Sequence, residues 1–238
     1  MFQISAFKKI SLAALIASLI SLSGCASSGT SSSNAGATPR ASEKAEYLSV
    51  INRIRSEATR TGEVYLMRGL LNVFSRGMDV MAAEMRGKGL DAVSFNHSDW
   101  QPIAYDIVAR AKSGNISYPI VIMGHSLGGN EAPNMANYLG SQSIKVAFVV
   151  TFDPTERRSV GKNVGTVINY YLPNGENTIS RGADFIGKLS NVNVSSIPDI
   201  KHTNVEKNAK LQARSIETVM NITKPLRKKR WKRSNRTS

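Results

Sequence analysis

Five stretches of this chain are apolar at nearly every position rather than at alternate ones: EVYLM at 63–67, LDAVSF at 90–95, YPIVIM at 118–123, KVAFVVTF at 145–152 and GTVINYY at 165–171. A strand of that kind has no face to give to water, so it belongs in a sheet covered on both sides. The intervening segments have helical spacing. They are FSRGMDVMAAEMRGKG, then WQPIAYDIVARAKSG with Pro102 near its start, then a segment running to about Leu139. A weaker sixth strand reads NVNVSSI, and NVEKNAKLQARSIETVMNIT makes a closing helix. An opening helix over Ala41–Arg60 is indicated by Tyr47, Leu48, Ile51, Ile54 and Ala58, with Ser42, Glu43 and Glu46 at its start. Strands and helices in alternation predict one α/β domain over 41–223, with a doubly wound, mostly parallel sheet of about six strands and no room for a lid domain.

Ahead of that domain the chain reads differently. Lys8 and Lys9 precede an uncharged apolar run from Ile10 to Leu22, the charged start and short apolar middle of an export signal, too short for a comfortable membrane span. The run ends in Leu22-Ser23-Gly24-Cys25, which resembles the bacterial lipoprotein signal, where cleavage before the cysteine frees it for lipidation. That resemblance implies a signal over 1–24, lipidation at Cys25 and a membrane anchor. Cys25 is the one cysteine of the chain, so no intramolecular disulfide competes for it. Residues 25–40 are small and polar and read as a flexible tether. In lipoproteins of this kind an aspartate after the cysteine retains the protein at the inner membrane; Ala26 stands there, which favours the outer membrane, facing the periplasm.

The formal charge of +14 is concentrated at the other end. From Lys224 to Ser238 there are eight Lys or Arg and no acid. Taking these and the two signal lysines from the 31 bases leaves 21 against 17 acids, a net of +4. The tail 224–238 therefore reads as a solvated, disordered basic segment, or, with Trp231 as an interfacial ring, as one attracted to anionic lipids. Export argues against nucleic acid as its partner.

Function has to be sought at the strand ends, because in an open parallel sheet ligand chemistry lies outside the carboxyl ends. The third strand runs into Gly124-His125-Ser126-Leu127-Gly128-Gly129. Glycines on both sides of Ser126 allow a sharp turn from strand to helix that would hold the hydroxyl above the sheet. A Gly-x-Ser-x-Gly string by itself occurs by chance in roughly one chain of this size in ten, so its position after a buried strand is what gives it meaning.

With that position, GHSLGG resembles the α/β-hydrolase superfamily, in particular its esterases, lipases and thioesterases, over about 63–223. The family's chain order of serine, acid and histidine is present. Asp153 follows the strand VAFVVTF, and His202 lies in IPDIKHTN before the last helix. The resemblance implies Ser126 as nucleophile, His202 as base and Asp153 as the acid that orients it. Glu176, after the next strand, is the runner-up acid, with Asp184 and Asp199 weaker. Of the other two histidines, His125 sits inside the elbow with its side chain turned elsewhere, and His97 is more readily structural than cleft-lining.

The oxyanion of such an enzyme would be held by the backbone N–H groups of Leu127 and of Leu70 in Arg68-Gly69-Leu70, where the family often has His-Gly. Arg68 departs from that pattern. It either pairs with an acid of the fold or receives an anionic group of the substrate, and pairing is the preferred reading. Pro133 inside the elbow helix predicts a kink or an irregular start. No Cys/His spacing suggests a metal site and no glycine loop suggests a phosphate-bearing cofactor. The expected substrate is an acyl ester, with a thioesterase and a non-catalytic envelope binding module as the alternatives.

Overall fold

The computed structural model describes residues 49–70, 75–173 and 177–226. All of these fall in one compact unit, Glu43–Ser238; the signal, tether and Cys25 lie outside the described residues, as do Ser42, Glu43, Glu46 and residues 227–238 of the tail. Helical residues 49–57 (α1) lead into β1 (Glu63–Arg68), α2 (Arg76–Gly87), β2 (Asp91–Asn96), α3 (Trp100–Lys112), β3 (Ile120–His125), α4 (Leu127–Ser141) and β4 (Val146–Phe152). After these come β5 (Arg158–Val160), β6 (Val164–Tyr171), β7 (Ile179–Arg181), β8 (Lys188–Asn193) and α5 (Ala209–Ile222).

Six strands form one sheet in the order β2-β1-β3-β4-β6-β8, every neighbouring pair parallel. The chain steps from β1 to β2 in one direction, then returns past β1 to lay down β3, β4, β6 and β8 in the other. Crossovers between parallel strands are right-handed, so reversing direction moves the helices to the opposite face. Met78, Met81 and Met85 of α2 accordingly pack with Leu211, Ile216 and Val219 of α5 on one face. Ile51, Ile103, Ile107, Met135 and Leu139 from α1, α3 and α4 pack on the other. Between them Val64 and Leu66 point to the first layer and Tyr65 and Met67 to the second, which is why β1 reads apolar throughout.

This is the doubly wound α/β fold expected, with three differences in detail. The sixth strand lies at 188–193 rather than 191–197, because an edge strand half open to solvent carries the polar sequence KLSNVN and no apolar pattern marks its start. β5 and β7 were not expected; they are three residues each and pair in a small separate sheet. α4 runs through Pro133 as a single element from Leu127. At the far end, Thr61 N–H donates to Lys224 C=O and Leu226 N–H to Thr59 C=O, each over 2.8 Å, so the segment after α5 is clipped beside the entry to β1.

Candidate active site

The reversal of direction leaves a crevice between the carboxyl ends of β1 and β3, where the loops after the two strands diverge to opposite faces. Ser126 stands at its edge, between β3 and α4, with φ 58° and ψ −121°. A non-glycine residue in that region is strained by roughly 1–3 kcal/mol and persists only where its surroundings enforce it. The enforcement is visible in the flanking glycines. A Cβ on Gly124 would meet Gly128 O at 2.0 Å, and one on Gly128 would meet Met67 O at 2.3 Å, so any side chain at either position would push the turn open.

From Ser126 a continuous hydrogen-bonded series leads into the protein. The hydroxyl Oγ is 2.9 Å from His202 Nε2, and His202 Nδ1 is 2.7 Å from Asp153 Oδ2. A carboxylate oxygen accepts, so Nδ1 carries the imidazole proton and Nε2 is left to accept from the serine. Asp153 is fully buried and also has a positive φ, 46°. Its other oxygen accepts from Leu172 N–H and from the Asn177 side-chain amide, both at 2.9 Å. With both carboxylate oxygens satisfied inside the protein, the imidazole is held by a partner that is itself held.

Both ring nitrogens of His202 are thus engaged by Ser126 and Asp153. Glu176 lies outside the described residues. Asp184 sits between β7 and β8, and Asp199, in the loop before His202, engages Asn204 through its backbone carbonyl. Leu127 opens α4, and its N–H belongs to the first helical turn, which has no acceptor within the helix. Gly69 approaches Ser126 closely enough that a Cβ on it would lie 3.0 Å from Ser126 Cβ; Leu70 follows it and is more than half exposed. Arg68 donates to Asp79 Oδ1 over 2.7 Å, and Ser94 donates to the same oxygen over 2.6 Å, so the arginine is tied into the fold. His97 belongs to a short 3-10 turn after β2, on the far side of β1 from Ser126.

Several supporting residues carry no sequence signal of their own. Asn177 is buried and bridges Asp153 to the Leu172 carbonyl, while its own carbonyl accepts from Asn169, whose side chain also meets Thr151 and Asn191. Asn130, on the first turns of α4, accepts from Thr155 N–H at 2.8 Å and Glu156 N–H at 3.2 Å. It thereby fastens the loop after Asp153 to the helix after Ser126. Asn130, Asn169 and Asn177 are buried, and an amide with no partner is costly in a core, which is why each is hydrogen-bonded to its surroundings.

No protein-family model matches the chain, and no curated protein matches it. Among solved structures it is similar to the NocB thioesterase domain from the nocardicin cluster, at 11% sequence identity and a TM-score of 0.39, over 70% of this chain and 95% of that domain.

Proposed function

We propose that this protein is a serine hydrolase that cleaves carboxylic esters through an acyl-Ser126 intermediate. The observation that carries the reading is the unbroken series from the Ser126 hydroxyl through His202 to buried Asp153, with the nucleophile on a strained elbow at the switch point of the sheet. In this reading His202 Nε2 takes the hydroxyl proton as Ser126 Oγ attacks the ester carbonyl. The tetrahedral oxyanion is received by the N–H groups of Leu127 and Leu70, at the amino terminus of α4. His202 then returns the proton to the departing alcohol, leaving the acyl group on Ser126; water, deprotonated by the same imidazole, hydrolyses that bond and restores the serine. Asp153 keeps the imidazole in the productive tautomer and stabilises its cation.

The domain would act in the envelope, anchored through lipidated Cys25 at the outer membrane with the residues from 41 onward facing the periplasm, and with the basic tail drawn to anionic lipids. Export separates it from cytosolic acyl-carrier thioesters, which is why an oxygen ester is the proposed substrate. A fluorophosphonate probe should label the wild type and leave Ser126→Ala unlabelled; equal labelling of the two would sink the proposal in favour of a binding module. Matched p-nitrophenyl esters and thioesters of increasing chain length would then assign the leaving group and acyl chain. Replacing Cys25 by Ser should move the protein out of the membrane fraction.

A further inference from the structure

His125 immediately precedes the proposed nucleophile and has no part in the mechanism above, yet its side chain is buried and both ring nitrogens are engaged. Nδ1 lies 2.8 Å from the Ser75 hydroxyl, and Nε2 lies 2.8 Å from the backbone carbonyl of His202. Ser75 Oγ in turn accepts from the backbone N–H of Gly69 over 2.8 Å. The two ends of this series fix everything between them. A peptide N–H can only donate and a peptide carbonyl can only accept. The His202 carbonyl therefore requires the proton on His125 Nε2, which leaves Nδ1 to accept from the Ser75 O–H, while the lone pair of Ser75 takes the Gly69 N–H. Every bond runs in one direction, from the loop after β1 to the loop before α5, and no member has a second choice.

The loops joined in this way are the two that must be spaced correctly around Ser126. Gly69 leads into Leu70 on the oxyanion side, and His202 carries the base. We infer that His125 is a positioning residue of the hydrolase, which sets the distance between the oxyanion loop and the base loop by bonding to the backbone of His202 and, through Ser75, to the backbone of Gly69. The inference rests on the serine-hydrolase reading. One carboxyl group lies near the ring, with an amino group beyond it. Glu206 Oε2 is 3.7 Å from Nε2, too long for a hydrogen bond and competing with the shorter bond to the carbonyl, and Lys207 reaches Glu206 Oε1 at 3.8 Å. Burial lowers the His125 pKa to about 4, with the neighbouring charges of His202 and Lys207 acting in the same direction and Asp153 and the bond to the His202 carbonyl opposing. The ring is consequently neutral above about pH 4, the state in which the one-way series forms.

The test uses the full-length protein as wild type, Ser75→Ala, His125→Phe, His125→Gln and the double variant, with Ser126→Ala as blank. A misplacement on the order of 1 Å costs about a hundredfold in rate. His125→Phe is therefore expected to lower kcat by about ten- to a hundredfold with KM nearly unchanged, and the double variant to be no slower than His125→Phe alone, because both break one series. Glutamine, which offers a donor and an acceptor, should recover part of the loss. Nitrogen NMR of the wild type with labelled histidine should find His125 as the Nε2–H tautomer across the pH range of activity. Should His125→Phe fail to fold, Ser75→Ala and the tautomer decide. Wild-type kcat in both single variants, or an Nδ1–H tautomer, would overturn the inference alone; absence of fluorophosphonate labelling in the wild type would overturn the hydrolase reading and the positioning role with it.

Discussion

The two ends of the central sheet both bury polar side chains, and they do so in opposite ways. At the amino end, Glu63 and Asp91 are direct neighbours across β1 and β2, two acids side by side and almost fully buried. Opposite charges compensate Glu63, and compensate Asp91 only in part. Arg110 reaches both oxygens of Glu63 at 2.8 and 2.9 Å, Arg55 pairs with Asp91 at 3.3 Å, and Tyr65 donates to Glu63. At the carboxyl end, no Arg or Lys is hydrogen-bonded to Ser126, Asp153, His202 or His125 among the described residues; these groups are satisfied by one another, by asparagine amides and by the backbone. The backbone differs in the same sense. Ser126 and Asp153 carry positive φ at the carboxyl end, while β1 and β2 start in regular parallel register at the other. A cluster of opposite charges tolerates small displacements, since Coulomb attraction is not directional. A series of directional hydrogen bonds fails when any member moves, and that sensitivity is what a reaction needs.

Substitutions at the two ends should therefore separate activity from stability. The largest effect is expected from Asp153→Asn, which leaves the shape but reverses what the acid offers to His202; ester hydrolysis should fall by about 10³–10⁴-fold, and Glu176→Gln should leave it unchanged. Similar losses in both would mean that the acid has been misassigned. Next comes Glu63→Ala at the opposite end. It removes the acceptor of two Arg110 hydrogen bonds and of the Tyr65 hydroxyl, leaving Arg110 with Asp106 and the Asn115 carbonyl, and should cost about 3–5 kcal/mol in a denaturant titration, while fluorophosphonate labels the folded fraction at the wild-type rate. Reduced labelling per folded molecule would break the division between the two ends.

The third prediction concerns pH, where the ends carry opposite signs. His125 has a folded pKa of about 4, below its unfolded value, so the unfolded chain binds the extra proton and stability is lost as pH falls from about 6.5 to 4. Asp91 is the reverse. Burial, and after it the charge of Glu63, raises its pKa to about 6, so the folded chain keeps the proton longer and this contribution is lost as pH rises from about 4 to 6. Each amounts to about 3 kcal/mol, and over the shared window they offset one another. Removing His125 exposes the Asp91 term: the stability of His125→Gln relative to wild type should improve on going from pH 7 to pH 4.5. A constant difference between the two proteins would contradict the buried neutral imidazole. The smallest effect is expected at Asn177→Ala, which removes one of three donors to Asp153 and should slow hydrolysis by about tenfold.

Legibility in the sequence followed burial. β1, β3 and β4 are enclosed by helices on both faces, so their residues had to be apolar and their positions could be read directly. β8 has one neighbour and exposed polar residues, and its start was misread; β5 and β7 are three residues long, below the length at which any period can be recognised. In the site, Ser126 and Asp153 could be singled out by an elbow and a strand end, and His202 by its place after them in chain order, in the loop before the last helix. Ser75, Asn130 and Asn177 could not, since a lone serine or asparagine, in a loop or on a helix, gains meaning only from what folds against it. The same holds for His125, whose partners are 50 residues before it and 77 after.

One last consequence follows from where His202 sits. Ser126 and Asp153 leave adjacent strands in the middle of the sheet, but the base comes from a loop after β8, behind every strand of the domain in chain order. A chain emerging from a ribosome thus presents its serine long before His202 can reach it. In the proposed mechanism the hydrolase stays inert throughout synthesis, and becomes reactive only once the final loop closes over a finished sheet.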